Sequence, residues 1–275
     1  MDPDVHTAAR AYDSLAPRFD ILQRENPVLA HSARASLALV QAAMSRSQFV
    51  LDIGCGTGRE ALELAALGKR VVACDPSRES LAILGRKAAA RGLSHNIRTF
   101  ALPASGIDVL RSEFGPHAFD GAYSSFALSY ERSLDRIPDT VRSLLQPRSP
   151  FLCSLYNRLC LTEILLMAPL IVPRRALKRL EGATPLPVDR FEVIIRSSTP
   201  SMVRRTFDPA FVLEACWGIP AIVPPNYLGR LLLLSGSFRP AWEELDLRIN
   251  GRWPFKHLGS HTAYLFRSRP EPSGT

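Results

Sequence analysis

The sequence has little lysine, no closely paired cysteines and no long uncharged apolar run. Four of its 34 basic residues are lysine and the other 30 are arginine. The five cysteines form no C-x-x-C pair and the six histidines are scattered, so we expect reduced thiols, a cytoplasmic location and no metal site. The first residues, MDPDVHTAARAYD, have no apolar segment of the kind that directs secretion. The longest apolar stretch, residues 159–172, contains Glu163 and Pro169 and is too short to cross a bilayer.

The composition is that of a globular protein with a modest excess of positive charge. Hydrophobic residues make up 46% and charged residues 22% of the 275, values that exclude disordered and fibrous proteins. The net charge of +8 is divided unevenly, because residues 1–150 carry +2 and residues 151–275 carry +6. Such an excess raises the alternatives of a nucleic-acid or a membrane-borne ligand, and its place in the second half favours an anionic or membrane-borne apolar one.

Predicted strands and helices alternate along the chain, which is typical of a doubly wound α/β domain. Two helices fill residues 5–46 and break near Pro27. Apolar runs predict strands at 49–54, 70–75, 96–102, 118–125, 150–156 and 261–268, and amphipathic segments predict helices at 57–68, 77–91 and 134–145. A further helix–strand pair before the last strand would complete the sheet. We expect a Rossmann-like sheet of seven mostly parallel strands, covered by helices on both faces.

The same pattern divides the chain into four parts of one domain. We expect N-terminal helices in residues 1–48, a ligand-binding core in 49–156, an insert of helical, proline-punctuated sequence in 157–205, and the last part of the sheet in 206–275. The insert is unusual because connections in α/β units are normally short.

A glycine-rich turn follows the first predicted strand, in the sequence Leu51-Asp-Ile-Gly-Cys-Gly-Thr-Gly58. Glycines at alternate positions let the backbone turn tightly and let a ligand lie against it. The third glycine of a dinucleotide fingerprint is replaced by Arg59, and the Gly-Lys-Ser/Thr of a phosphate-binding loop is absent. Asp52, two residues before the first glycine, can orient an ammonium group. The turn therefore favours a ligand with an amino-acid moiety.

Asp75 stands at the end of the second predicted strand, 23 residues after Asp52. A carboxylate at this position of an open α/β sheet can accept both hydroxyls of a ribose. The alternative is an N-cap for the following helix, since Asp-Pro-Ser is also a helix-start pattern.

In order and spacing, the segments VLDIGCGTG, VVACDPS and FDGAYSSFALSY resemble the class I S-adenosylmethionine-dependent methyltransferases. Upstream, residues 12–20 (YDSLAPRFD) resemble the Y-D-x-x-A-x-x-Y-D segment common in members that act on small molecules, with Phe19 in place of the second tyrosine. The resemblance spans roughly residues 10–156. It implies S-adenosylmethionine as the cofactor and S-adenosylhomocysteine as the product.

The resemblance also implies roles for individual residues. The rings of Tyr12 and Phe19 would cover the cofactor, and Asp52 would orient its amino group. The ribose would be held by Asp75 and the transfer face lined by Ser124 and Ser125. The remaining expected contacts are Gly54, Cys55 and Gly56 beneath the methionine part, Pro76 beside the adenine, and Pro103 and Ala104 in the loop after strand three, where the family often has an acid that is missing here.

No general base is obvious from the sequence. Candidates are Tyr12, with cofactor covering as the alternative role, and His261, with a partly buried structural histidine as the alternative. The Asn/Asp-Pro-Pro-Tyr motif of amino-group methyltransferases is absent after strand four, where the chain has Ser-Ser-Phe-Ala. Residues 224–227, PPNY, have the wrong order and lie about 100 residues downstream, so they predict a rigid turn or a pocket wall.

The apolar insert is the main sequence clue to the methyl acceptor. Residues 159–172 are strongly apolar and a basic group follows at 174–179, which favours a lid over an apolar acceptor or a peripheral membrane contact through 159–179. The alternative is a pair of core helices with a solvated basic face.

These features lead us to expect methyl transfer to an oxygen or carbon of a hydrophobic small molecule (quinone-, polyketide- or lipid-like). An RNA or tRNA methyltransferase and a non-catalytic cofactor-binding regulator remain alternatives. Nucleic acid is not the expected partner, because the basic residues are not interleaved with aromatic ones. Arg59 argues against a nicotinamide oxidoreductase.

Overall fold

A seven-stranded sheet forms the centre of the structure, a computed structural model that describes residues 2–167, 179–223 and 239–270. In chain order its strands are β1 (Phe49–Ile53), β2 (Arg70–Cys74), β3 (Ile97–Phe100), β4 (Gly121–Ser124), β5 (Pro150–Tyr156), β8 (Phe211–Ile219) and β9 (His261–Ser268). Their spatial order is β3-β2-β1-β4-β5-β9-β8, and β9 runs antiparallel to both of its neighbours. The predicted doubly wound, mostly parallel sheet is confirmed.

Helices precede the sheet and cover both of its faces. Their bounds are α1 (Pro3–Glu25), α2 (Pro27–Ala43), α3 (Arg59–Ala66), α4 (Arg78–Ala90), α5 (Leu110–Phe114), α6 (Ile137–Leu144), α7 (Leu161–Met167), α8 (Pro200–Phe207), α9 (Arg239–Ile249) and α10 (Phe255–Leu258). Short 3₁₀ helices lie at Ala104–Val109, Leu128–Tyr130 and Arg179–Glu181. The two N-terminal helices separate where expected. Asn26 caps α2 by accepting the backbone N–H groups of Val28 and Leu29, and Pro27 occupies the first helical position.

The central strands are buried on both faces, as their continuous apolar sequence requires. Side chains alternate along β1, so Leu51 and Ile53 join one core cluster while Val50 joins the other. The first cluster extends to the last strands, where the rings of Phe207 and Phe266 stack with centroids 4.8 Å apart. This rigid layer fixes the turns that leave the carboxyl ends of the strands.

The insert at 157–205 differs from its predicted helical character. It contains α7 but also a β-hairpin of β6 (Ala183–Val188) and β7 (Phe191–Arg196), joined by a two-residue turn in which Asp189 has φ +52°. Val193 and Ile195 are buried at alternate positions of β7, a period of two that the prolines around it obscured. The apolar and basic residues at 168–178 and the PPNY segment at 224–227 lie outside the described residues.

The hairpin packs against the outer face of α1. Val188 and Val193 form a small apolar cluster with Ala8 and Ala11 of the helix. Around it, Arg196 pairs with Asp4 at 2.6 Å, and Asp189 accepts hydrogen bonds from Ser14 at 2.5 Å and Arg18 at 2.7 Å. The hairpin therefore supports α1, although the residues paired here lie 171 to 192 positions apart in sequence.

A buried polar network connects the C-terminal part of the chain to α2. His31 Nε2 lies 2.8 Å from Asp246 Oδ2, and both side chains are 1% exposed. The other oxygen, Asp246 Oδ1, accepts the backbone N–H groups of residues 221, 222 and 223 at 2.6–3.2 Å. The carboxylate of Asp246 thus connects α9 to α2 and to the segment that follows β8. Within the described ranges, no helix has both the length and the apolar character needed to span a membrane.

Candidate active site

A cleft opens at the carboxyl ends of the parallel strands, the edge where open α/β sheets bind ligands. Its floor consists of the turns after β1, β2 and β4, and α1 forms its roof. Most of the residues predicted to bind the cofactor line it, namely Tyr12, Phe19, Gly54, Cys55, Gly56, Asp75, Pro76, Pro103, Ala104 and Ser125. Residues from five separate segments thus meet at one site.

The glycine turn forms a bare backbone surface in the cleft. Gly54 has φ +81°, and a Cβ there would lie 2.1 Å from the Cβ of Ala127, so no larger residue fits. Above Gly56 the space is open, since a Cβ built there meets no described atom within 4 Å. The backbone N–H of Gly56 donates to Asp75 Oδ2 at 2.8 Å. A ligand can therefore lie directly on the turn, beside this carboxylate.

Asp75 is held in the cleft by two backbone donors. Its Oδ1 accepts from the N–H of Ser77 at 2.8 Å, while Gly56 binds the other oxygen. Burial raises the pKa of Asp75 to about 6, although both hydrogen bonds act to lower the pKa. The N-cap of α4 is Ser77, whose Oγ accepts from Ser80 N at 3.1 Å. The helix-cap alternative for Asp75 is therefore wrong, and its carboxylate faces the cleft.

Two predicted residues lie behind the cleft wall. Asp52 is buried in β1, where the hydroxyl of Tyr123 donates to its Oδ2 at 2.7 Å, and burial raises its pKa. Ser124 is buried in β4 and donates to the carbonyl of Ile53 at 2.7 Å. Both sit within strands, whose side chains point into the layers above and below the sheet and not toward its edge.

A charged pair at the start of α3 lines the cleft and was missed in the sequence. Arg59 forms an ion pair with Glu60, whose carboxylate also accepts from Ser36 Oγ at 3.2 Å. Glu60 is buried, and the buried Nε of Arg59 has no hydrogen-bond partner among the described residues. In the sequence, Arg59 mattered only as a missing glycine. Arg59 and Glu60 thus present opposite charges next to the glycine turn.

The aromatic side chains of α1 lie over the cleft. Tyr12 and Phe19 both line it, with ring centroids 6.1 Å apart. The hydroxyl of Tyr12 lies 2.7 Å from that of Tyr130, a residue that the sequence did not single out. This tyrosine pair joins the roof to the segment after β4, across 118 positions of sequence.

Two aspartates of the YDSLAPRFD segment dock α1 on the core. Asp13 accepts from Ser77 Oγ at 2.7 Å and from the N–H of Glu79 at 3.1 Å, at the start of α4. Asp20 accepts from Thr57 Oγ1 at 2.6 Å and pairs with Lys87. Seven residues are about two helical turns, so both carboxylates share one side of α1. The repeated Tyr/Phe-Asp pairs place rings over the cleft and acids against its rim.

Glu131 is a buried acid that lines the cleft near the start of α1. It lines the cleft together with Val5, Ala104 and Pro103, and it accepts from the backbone N–H of Ser105 at 3.2 Å. Burial raises its pKa. It directly follows the segment that carried the resemblance, with no motif of its own to mark it.

Neither Tyr12 nor His261 is a strong proton acceptor in this structure. Burial raises the pKa of Tyr12, so its phenol stays protonated. His261 pairs with Tyr156 in the sheet and lies behind Phe126, with ring centroids 4.9 Å apart. Burial and the charge of Arg179 lower the pKa of His261 to about 3, so its imidazole is neutral at physiological pH. In the described part of the chain, no three His, Cys, Asp or Glu side chains cluster as metal ligands would.

Comparison with known proteins agrees with this fold. Residues 50–148 match a methyltransferase-domain family model. Over 141 residues the chain is 32% identical to a demethylmenaquinone methyltransferase of Thermobifida fusca (strain YX), and over 109 residues it is 28% identical to a sterol 4-C-methyltransferase of Caenorhabditis elegans. These matches cover 50% and 40% of this chain, and 55% and 31% of the two relatives. The chain thus matches 31% to 55% of the length of these curated relatives.

The fold comparison extends over nearly the whole chain. The structure of 1,6-didemethyltoxoflavin-N1-methyltransferase from Burkholderia thailandensis, with S-adenosylhomocysteine bound, superposes with a TM-score of 0.58 at 17% identity and covers 98% of this chain and 92% of that one. Sheet order, glycine turn and family match define the class: a Rossmann-like protein with a cleft at the carboxyl edge of its sheet. Residues 50–148 therefore form a methyltransferase domain within this fold.

Proposed function

We propose that this protein transfers a methyl group from S-adenosylmethionine to an oxygen or carbon of a hydrophobic small molecule. The observation that carries the proposal is the bare glycine turn beside Asp75, in a cleft roofed by aromatic rings. Bound there, the cofactor supplies an electrophilic methyl group on a sulfonium. The chain itself supplies position, orientation and exclusion of water.

The residues of the cleft fit the cofactor's chemistry. Arg59 and Glu60 offer opposite charges to the carboxylate and ammonium of its methionine part, and the unpartnered Arg59 Nε is a free donor among the described residues. Asp75 offers acceptor oxygens to the ribose hydroxyls. We assign the ammonium contact to Glu60 because Asp52 lies behind the wall, bound to Tyr123. The rings of Tyr12 and Phe19 would cover the cofactor, with Gly54, Cys55 and Gly56 beneath it and Ser125, Pro76, Pro103 and Ala104 along its length.

Apolar side chains near the same edge of the sheet support a hydrophobic acceptor. Leu159 and Leu165 follow the carboxyl end of β5 and are 45% and 61% exposed. Trp253 precedes β9, whose first residue pairs with the last of β5, and it is 80% exposed. Exposed large apolar side chains next to a binding edge are typical of ligand or membrane contacts. A quinone, polyketide or lipid skeleton fits this setting, as does a peripheral membrane contact through residues 159–179.

The weak basicity of the two candidate bases indicates which kind of acceptor the site can methylate. A protonated Tyr12 and an imidazole with a pKa of about 3 are weak bases at neutral pH. An acceptor oxygen or carbon that ionises readily by itself, such as an acidic phenol or an enolised carbonyl compound, needs little help from them. Proximity on the cleft would then supply most of the rate enhancement.

Incubation with S-adenosylmethionine and a panel of phenols, quinones, enolic polyketides and lipids tests the proposal. We expect a product 14 Da heavier than one apolar acceptor, measured by mass spectrometry, and its loss in Asp75→Ala. Calorimetry with S-adenosylhomocysteine should show at least tenfold weaker binding by Asp75→Ala, because charged hydrogen bonds are lost. Asp108→Ala, at an exposed position, is the control.

Each other outcome selects a different function. Methylation of RNA alone, with binding that falls steeply with salt, would replace this proposal by an RNA methyltransferase. Tight cofactor binding without any methylated product across the panel would favour a non-catalytic regulator. Unchanged affinity in Asp75→Ala would disprove the ribose assignment.

A further inference from the structure

A second cavity, of about 240 Å³, lies next to the cleft. The segment that follows β4 separates the two, because Ala127 and Tyr130 line the cleft whereas Leu128 and Ser129 line the cavity. The end of β5, the open end of the β6–β7 hairpin and α8 form its other walls. Three arginines line it, namely Arg132, Arg158 and Arg196. The proposed methyl transfer does not use this arginine cavity.

Arg158 is a partly buried cation that no acid of the described residues neutralises. Its Nε is buried and has no hydrogen-bond partner there, and Arg158 takes part in none of the ion pairs of the described chain. Removal of a charged group from water is costly unless an anion or another polar group replaces that water. An acceptor that enters the cavity would therefore stabilise Arg158.

The fold holds the guanidinium of Arg158 in place. Its backbone N–H donates to the carbonyl of Ser198 at 3.0 Å. Gly182 has φ +87°, and a Cβ built there would lie 2.7 Å from Arg158 Nη2, so a larger residue would displace the guanidinium. Ala183, the next residue, pairs with Arg196 in the hairpin, which brings the second arginine to the same end of the hairpin. Both arginines are thus preorganised at one cavity.

Arg196 has a free donor as well. Its Nη2 donates to Asp4 of α1 at 2.6 Å, whereas its Nη1 is buried without a hydrogen-bond partner among the described residues. Arg132, the third arginine of the lining, is 73% exposed and lies 3.9 Å from Asp2. Arg196 can therefore bind a second anion without release of Asp4.

Two acids also line the cavity, and both bind other groups. Glu131 accepts from the backbone N–H of Ser105 at 3.2 Å, and Asp135 accepts from the hydroxyl of Ser133 at 2.7 Å. Neither acid forms an ion pair with the two arginines that have free donors. The positive charge of Arg158 is thus left for a ligand.

We infer that the arginine cavity binds an oxyanion group, a phosphate or a carboxylate, through Arg158 and Arg196. Guanidinium groups bind these anions through directed, charge-assisted hydrogen bonds. Leu134, Leu155 and Val203 add apolar walls, which can hold a chain attached to the anion. The inference concerns a second site, so it does not depend on the methyl donor.

NMR titration with inorganic phosphate and with hexyl phosphate, at constant ionic strength, tests the inference. The Nε–H signal of Arg158 should shift and saturate with each compound, and backbone amide shifts measure the affinity of the variants. Arg158→Gln and Arg196→Gln should each bind about tenfold more weakly, because charged hydrogen bonds are lost. Two matched controls lose an arginine elsewhere. Arg205→Gln, at an exposed position of α8, and Arg59→Gln, in the cleft, should bind phosphate as the native protein does.

The two compounds also identify the source of the anion. Hexyl phosphate that binds about tenfold more tightly than inorganic phosphate would identify the head group of an apolar ligand, since burial of about two methylene groups contributes this much. Similar affinities would identify a free oxyanion. The inference fails if neither compound saturates the protein, if folded Arg158→Gln and Arg196→Gln keep the native affinity, or if Arg59→Gln alone abolishes binding. Binding of S-adenosylhomocysteine is measured separately and decides only the proposed function.

Discussion

At the scale of single residues, the cleft obtains its chemistry from enclosed carboxyl groups. Burial opposes the charge on Asp75 and raises its pKa to about 6, while two backbone donors favour the ionised form. The pKa of Asp75 therefore lies close to neutral pH, and the two backbone donors fix the orientation of its carboxylate. A ribose that donates two hydroxyls would stabilise the same ionised form, so ligand binding and proton release are coupled at this residue.

This coupling predicts pH-dependent cofactor binding. In the proposed site the ionised form of Asp75 accepts the ribose hydroxyls, so affinity for S-adenosylhomocysteine should be constant above neutrality and fall as the pH drops through about 6. At pH 5 the carboxyl is mostly protonated, and the dissociation constant should be about tenfold higher than at pH 7.5. Calorimetry from pH 5 to 7.5 measures the effect.

Asp75→Asn is the control for this pH profile, because an amide does not titrate. Its affinity should be lower at every pH and should vary less between pH 5 and 7.5. A native affinity that stays constant over this range would contradict the role given to the carboxylate.

At the scale of elements, α1 is a roof held by contacts on two sides. Asp13 and Asp20 dock it on α4 and the turn after β1, and the hairpin of β6 and β7 supports its other face. Helices of this kind are stabilised by packing and docking more than by their own propensity. Closure of the cleft therefore depends on a few polar contacts at its rim.

Removal of both docking acids should loosen the roof. In Asp13→Ala/Asp20→Ala, the start of α4 loses the carboxylate of Asp13 and Lys87 loses its carboxylate partner, and we expect a stability loss of about 1–3 kcal/mol. Binding of S-adenosylhomocysteine should weaken about tenfold, and amide protons of α1 should exchange faster. Urea denaturation, calorimetry and hydrogen exchange measure these three effects. Glu25→Ala, an exposed acid on the same helix, should change none of them.

Native protection of the α1 amides in the double variant would show that the hairpin alone holds the roof. Asp13 would then serve only to cap α4, and Asp20 only to bind Thr57 and Lys87.

At the scale of the whole molecule, the N-terminal helices and the C-terminal segment depend on one buried carboxylate. Asp246 joins His31 of α2 to the backbone of residues 221–223, which are separated by more than 180 positions in sequence. Burial of such a group is costly unless every partner is present. The network therefore fixes how the ends of the chain close around the sheet.

Loss of this carboxylate should destabilise the whole protein. Asp246→Ala leaves three backbone N–H groups and His31 without their acceptor, and we expect a loss of about 3–5 kcal/mol. Glu244→Ala, on the same helix, removes an exposed pair with Arg248 and should change stability by less than about 0.5 kcal/mol. Urea denaturation of both variants measures the difference. Similar values for the two would show that the buried network contributes little.

Much of the fold and half of the site could be predicted because they depend on local sequence. The strand–glycine–helix pattern placed the turn at Gly54–Gly58, and strand position placed Asp75 at the cleft. The hairpin in the insert was missed because prolines concealed its period of two. Asp52 was expected to orient the cofactor's amino group, directly or through water, but strand geometry turns its side chain away from the edge toward Tyr123.

The sequence by itself determined the sheet, the glycine turn and the position of Asp75 at the cleft, since each follows from spacing within a few residues. Only the tertiary structure decided what surrounds them. Tyr130 meets Tyr12 across 118 positions, and Glu131 reaches the loop after β3 from the segment after β4. Such contacts arise when distant segments pack on the two faces and one edge of a sheet, and no local pattern encodes which of them will meet there.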